Sequence, residues 1–136
     1  MNTLVESAFL AAVAVLPELA GIEHHTGVSG EENTVEGASV IVHCPDCEHS
    51  VGALWKATVH FRLETPAFDN DRESHENRLN AVRVWLDDHE AVTAALRLHG
   101  MRLGGYFVRK SQTSIEHNRW VAEIEVLVGV DTGVGA

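Results

Sequence analysis

The sequence predicts an α+β fold. Two helices cover one face of a four-stranded antiparallel sheet in a two-layer sandwich, in the order α-β-β-α-β-β. Three observations predict it. Residues 55–63 alternate apolar and polar side chains, and 120–128 do so apart from Val121 and Leu127, the period of a half-buried strand. Apolar side chains recur at three- and four-residue steps through Val5–Leu19 and through His75–Leu86, the period of an amphipathic helix. The chain has 136 residues, the size of one domain, 1–136, and is 45% hydrophobic and 22% charged, so it can bury a real core.

The first helix is expected from Leu4 to Ala20. Thr3 with Glu6 reads as a capping box, Pro17 predicts a kink or break, and Gly21 is a natural stop. Residues 22–37 read as a long loop, mobile in the isolated chain, because they hold few apolar anchors and no Lys or Arg. Ala38–Cys44 reads as a strand through the β-branched Val40, Ile41 and Val42. Pro45-Asp46 opens a turn that Ser50-Val51-Gly52 ends. Trp55, Ala57, Val59, Phe61 and Leu63 then form the buried side of the clearest strand, which Thr65-Pro66 closes.

Asp71 or Asn70 caps the second helix, whose inner face is His75, Leu79, Val82 and Leu86. Asp87-Asp88 interrupts it. Asp88 can cap a short continuation through Val92, Leu96 and Leu98, stopped by Gly100. Met101–Lys110 is a strand with a bulge expected at Gly104-Gly105, and Ser111–Asn118 a polar turn. Trp120, Ala122, Ile124, Val126 and Val128 face the core in the last strand, and 131–136 is a frayed tail.

Charge narrows the function. The formal net charge is −10, which argues against gripping nucleic acid through phosphates. The acids are uneven: residues 1–55 hold Glu6, Glu18, Glu23, Glu31, Glu32, Glu36, Asp46 and Glu48, and no Lys or Arg. Such a face either docks a basic partner or is simply solvated, and the solvated reading carries more weight. The start lacks the cationic region of a signal peptide, and no apolar run is long enough to span a membrane. A cytoplasmic origin and reduced thiols are the expectation.

His43-Cys44-Pro45-Asp46-Cys47-Glu48-His49 is the sharpest local motif. Two thiolates at this spacing can grip zinc, and His43 or His49 could add a nitrogen. The chain has no further Cys, and a redox pair needs a helix N-terminus, whereas this one sits between strands. A turn that happens to hold two thiols is favoured, with no cofactor and no metal. His24-His25 reads as solvated loop, and Asp87-Asp88, Glu31-Glu32 and Glu123/Glu125 as cap and surface acids. No constellation of nucleophile, base and oxyanion donor stands out, so the chain is not read as an enzyme. Trp85 lies at the border of the inner helical stripe, and Val121 and Leu127 are apolar on the wet face of the last strand. These three are the expected subunit-interface residues, against the plainer reading as scattered apolar surface.

The opening helix ending at Gly21, the Ala38–Cys44 and Trp55–Leu63 strands, the Asp71–Leu98 helix and the closing Trp120–Val126 strand together resemble a known family. They follow the order of the tail-terminator and tail-completion (neck, head–tail joining) proteins of long-tailed bacteriophages. The resemblance is one of pattern, so it transfers no site residue, and the His43–His49 segment departs from it. It implies a virion protein, assembled in the bacterial host cytoplasm. It implies a homo-oligomeric ring, usually a hexamer, that ends the tail tube. The ring would contact tail-tube and head-connector proteins and let DNA pass without specific binding, away from any membrane. The alternative is a small α+β metal-binding module or enzyme that uses the Cys44-Cys47 turn.

Overall fold

A computed structural model of the protein describes residues 1–27, 37–67 and 72–132. In chain order the elements are α1 (Asn2–Ala14), β1 (Glu23–Thr26), β2 (Ser39–His49), β3 (Leu54–Pro66), α2 (Arg72–Asp87), α3 (His89–Arg97), β4 (Arg102–Glu116) and β5 (Arg119–Asp131). The α+β class is as the sequence predicts. The sheet, however, has five strands in the order β1-β2-β3-β5-β4, and β1 runs parallel to β2. There are three helices among the described residues, because the break at Asp87-Asp88 separates α2 from α3.

α1 starts and stops earlier than its apolar stripe suggests. Met1 stands at the cap position without a side-chain bond, so Thr3 and Glu6 form no capping box. The helix ends at Ala14, shortly before Pro17, whose ring disfavours helical geometry in the residue ahead of it. Val5, Ala8, Phe9 and Val13 are buried. Glu23–Thr26, expected as loop, forms β1 in register with Ser39–Val42. Parallel neighbours cannot be joined by a tight hairpin, and this is the physical reason for the long connector that reads as a loop in sequence. Residues 28–36, with the expectation of their mobility, lie outside the described residues, as do Asn70 and Asp71 and the tail from 133 onward.

β2 continues past Pro45 to His49. What reads as a turn is a bulge, where the register with β3 shifts between His43 and Asp46. A bulge tolerates the proline because it leaves a residue out of the ladder. The true turn follows at Ser50–Ala53, closed by Ser50 and Leu54 hydrogen bonds. β4 likewise runs through the expected polar turn, and the reversal is confined to His117-Asn118, both at positive φ. That is the left-handed conformation a two-residue hairpin demands. The bulge at Gly104-Gly105 is present, with Gly105 at φ +143.

One core joins the helices to one face of the sheet. Val40, Val42, Cys44, Ala57, Val59, Phe61, Leu63, Ala122, Ile124, Val126, Val128 and Val130 meet Phe9, Leu79, Val82, Leu86, Val92 and Leu96. Phe9 stands edge-on to both Phe61 and Trp85, with centroids 5.7 and 6.0 Å apart. Trp55 and Trp120, expected fully inside, are half-buried. Trp55 packs on His49 at one end of the sheet, and Trp120 lies over His75. Asp88 caps α3 by accepting a hydrogen bond from the Ala91 backbone N–H, as its position predicts.

Candidate assembly surface

Both cysteines are free thiols, Cys44 buried and Cys47 partly buried. Cys44 is buried, and its thiol is pushed up to about 12 by burial, with Cys47 and Glu6 adding to the shift. Cys47 is raised as well, chiefly by burial. Redox use needs the deprotonated sulfur, which burial disfavours. Among the described residues no group of three or more His, Cys, Asp or Glu could hold a metal ion.

Glu6 explains why this segment is ordered. β1 accompanies β2 only as far as Val42. Beyond it, α1 supplies the missing partners. Glu6 Oε2 accepts the Cys44 N–H at 2.8 Å, and Asn2 Nδ2 donates to the Cys44 carbonyl at 2.8 Å. His43 Nδ1 lies 3.2 Å from the same carboxylate oxygen. Asn2 and Glu6 are one helical turn apart, so a single face of α1 satisfies both backbone groups of one edge residue. A buried carboxylate is tolerable because these groups bond it.

The sheet face opposite the helices changes character along its length. At one end Arg62 bonds Glu64, Glu116 and Glu123, and Arg119 bonds Glu64 at 3.2 Å and the Gly37 carbonyl at 2.7 Å. In the middle Glu125 is shared by His60, at 3.0 Å, and Arg109. The Arg109 bond holds the Glu125 carboxyl below the usual range. At the far end Leu54, Leu127 and Phe107 line a hollow of about 670 Å³ together with Gly104, Gly105 and Gly129, with Asp46, Glu48 and Lys56 also on its lining. Gly104 and Gly129 are also close-packed: a Cβ on Gly104 would come within 3.3 Å of the Gly129 carbonyl and of Leu54.

β4 is the outermost strand on this side and is exposed along nearly its whole length. Phe107 is 58% exposed and Ile115 69%, with Val108 also open. Tyr106 anchors the strand's beginning, its hydroxyl donating to the Leu86 carbonyl.

The structure redistributes the three expected interface residues. Trp85 packs on Phe9 in the core, and Val121 is 2% exposed. Both are covered by this chain, so neither offers free apolar surface. The helix stripe is wide enough to take Trp85 inward, and Val121 sits in register with Glu64 and Ser114 at the ion-paired end. Leu127 alone lies half-exposed on the open face, beside Phe107 in the hollow. Sequence reasoning passed over Phe107, Val108 and Ile115. The available signal was the run Tyr106-Phe107-Val108, which does not alternate and therefore cannot be buried on one side only. Comparison with protein-family models gives no match, and none of the curated proteins matches the chain.

Proposed function

We propose that this chain is a structural virion subunit that closes into a ring, six-fold by analogy with the proteins it resembles. The ring ends the tail tube of a long-tailed bacteriophage and joins it to the head, with no catalytic turnover. Its partners are copies of itself and the tail-tube and head-connector proteins, and it is assembled in the bacterial host cytoplasm. DNA passes through the bore without specific contacts.

The observation that carries this reading is β4, a 15-residue edge strand with Phe107, Val108 and Ile115 exposed. An edge of that length with apolar side chains exposed is a template for another chain, even though bulges before Gly105 and at Arg109 and the Arg and Lys side chains interrupt it. A ring of repeated contacts covers it. The net charge of −10 suits a bore through which phosphates must slide. Among the described residues no group of three or more possible ligands gathers at Cys44 and Cys47, which takes weight from the metal alternative.

Light scattering over a concentration series, with and without tail-tube protein, tests the reading. The expected result is a discrete closed oligomer, or one that forms on tube ends and limits tube length. A persistent monomer that neither binds tube ends nor shortens tubes would overturn it.

A further inference from the structure

We propose that copies of this chain join head to tail, the free edge of β4 on one copy lying along the acidic β1–β2 edge of the next. This rests on the ring reading and names the two surfaces that make the ring.

The two borders of the sheet carry opposite charge. β4 holds Arg102, Arg109 and Lys110 against one acid, Glu116. Arg109 is bonded to Glu125 and Arg102 to Asp131, yet their side chains remain 50% and 77% exposed. Lys110 is exposed and has no ionic partner among the described residues. Asp87 and Asp88 stand near Tyr106 at the start of the strand, so the positive charge centres on Arg109-Lys110. At the opposite border, residues 1–55 contain no Lys or Arg, although His24, His25, His43 and His49 lie on β1 and β2 and the N-terminal amine acts on Cys47. Glu23 on β1 and Asp46 and Glu48 on β2 are exposed there. Lys56 pairs in register with Glu48 one strand further in and lines the same hollow as Asp46.

Both borders also offer backbone. β4 has no strand on its outer side. β1 covers β2 only through Val42, α1 satisfies Cys44 and the Cys44 thiol donates to the Asp46 carbonyl, so Cys47–His49 has no strand on its outer side among the described residues. Pairing like borders brings two basic edges or two acidic edges together. Opposite borders attract and fix the register. A contact between two different surfaces is heterologous, and repeated copies of it make a ring when the rotation closes. The apolar Phe107, Val108 and Ile115 lie on the same donor strand and add contact area.

The test uses two full-length charge reversals. One carries Arg109→Glu with Lys110→Glu, and the other Asp46→Lys with Glu48→Lys. Lys110→Glu alone serves as a second form of the first, because it keeps the Arg109–Glu125 bond. Circular dichroism establishes that each is folded, and sedimentation velocity reads assembly. Each variant alone should need at least about tenfold more protein to assemble than the wild type. An equimolar mixture should recover assembly, since alternating copies again place opposite charges at every contact. If the wild type never assembles, the ring reading falls and takes this inference with it. If the wild type assembles but the folded variants assemble equally well, or do not recover on mixing, the head-to-tail contact alone is overturned.

Discussion

Phe61 and Trp85 show how much one position in the core decides. Phe61 has no exposure and stands edge-on to Phe9, which stands edge-on to Trp85. Phe61→Ala should lose ~3–5 kcal/mol, from transfer and cavity terms together. Trp85→Ala should lose a similar amount in urea denaturation, which would establish it as a core residue and not a contact for a neighbour. His75 sets a pH response. It is 4% exposed, its Nδ1 lies 2.8 Å from Thr65 Oγ1, and its Nε2 has no hydrogen-bond partner. Burial, and then the Arg78 charge, lower its pKa from the ordinary 6.5. The unfolded chain therefore takes up this proton before the folded chain does, and stability falls as pH drops through and below about 6.5. His75→Gln should flatten that limb when urea midpoints are compared from about pH 7.5 to about pH 5. The sequence reads Glu6 as a helix-cap residue from its spacing to Thr3, but both residues lie inside α1 and form no cap. The Glu6 bond to Cys44 is long-range, and no local pattern contains it.

At the scale of elements, most of the ladder was legible. The β3 and β5 alternation and the α2 stripe of His75, Leu79, Val82 and Leu86 are inward as the periodicity demands. The errors fall where local chemistry resembles a turn. Pro45-Asp46 carries turn residues but is a bulge, and Ser111–Glu116 is polar because an edge strand is wet on both sides. The real reversal, His117-Asn118, holds two non-glycine residues at φ 51 and φ 60. A non-glycine residue there costs roughly 1–2 kcal/mol, less for Asn. Replacing the pair by Asn-Gly should therefore raise the thermal midpoint, by the equivalent of no more than about 1 kcal/mol after the added freedom of glycine in the unfolded chain. An unchanged or lower midpoint would mean that His117 or Asn118 makes a compensating contact.

For the whole molecule the instructive contrast is between covering and exposure. One sheet face is closed by α1, α2 and α3; the other runs from an ion-paired end at Arg62 and Arg119 to a glycine-floored hollow beside Phe107. Phe107→Glu should leave the melting curve of the monomer nearly unchanged, because surface substitutions usually stay within about 0.5 kcal/mol, while reducing assembly in sedimentation. Loss of the monomer fold instead would mean that Phe107 supports the hollow from within.

The sequence by itself determined the class, the inward faces of β3, β5 and α2, the Asp88 cap and the bulge at Gly104-Gly105. Those features follow from periodicity and backbone preference, which act over a few neighbouring residues. Only the tertiary structure decided that Glu23–Thr26 adds a parallel strand, that Trp85 and Val121 are covered, and that β4 stands alone at the border. Parallel pairing, strand order and coverage depend on contacts between residues far apart in the chain, and a one-dimensional pattern has no means of recording them.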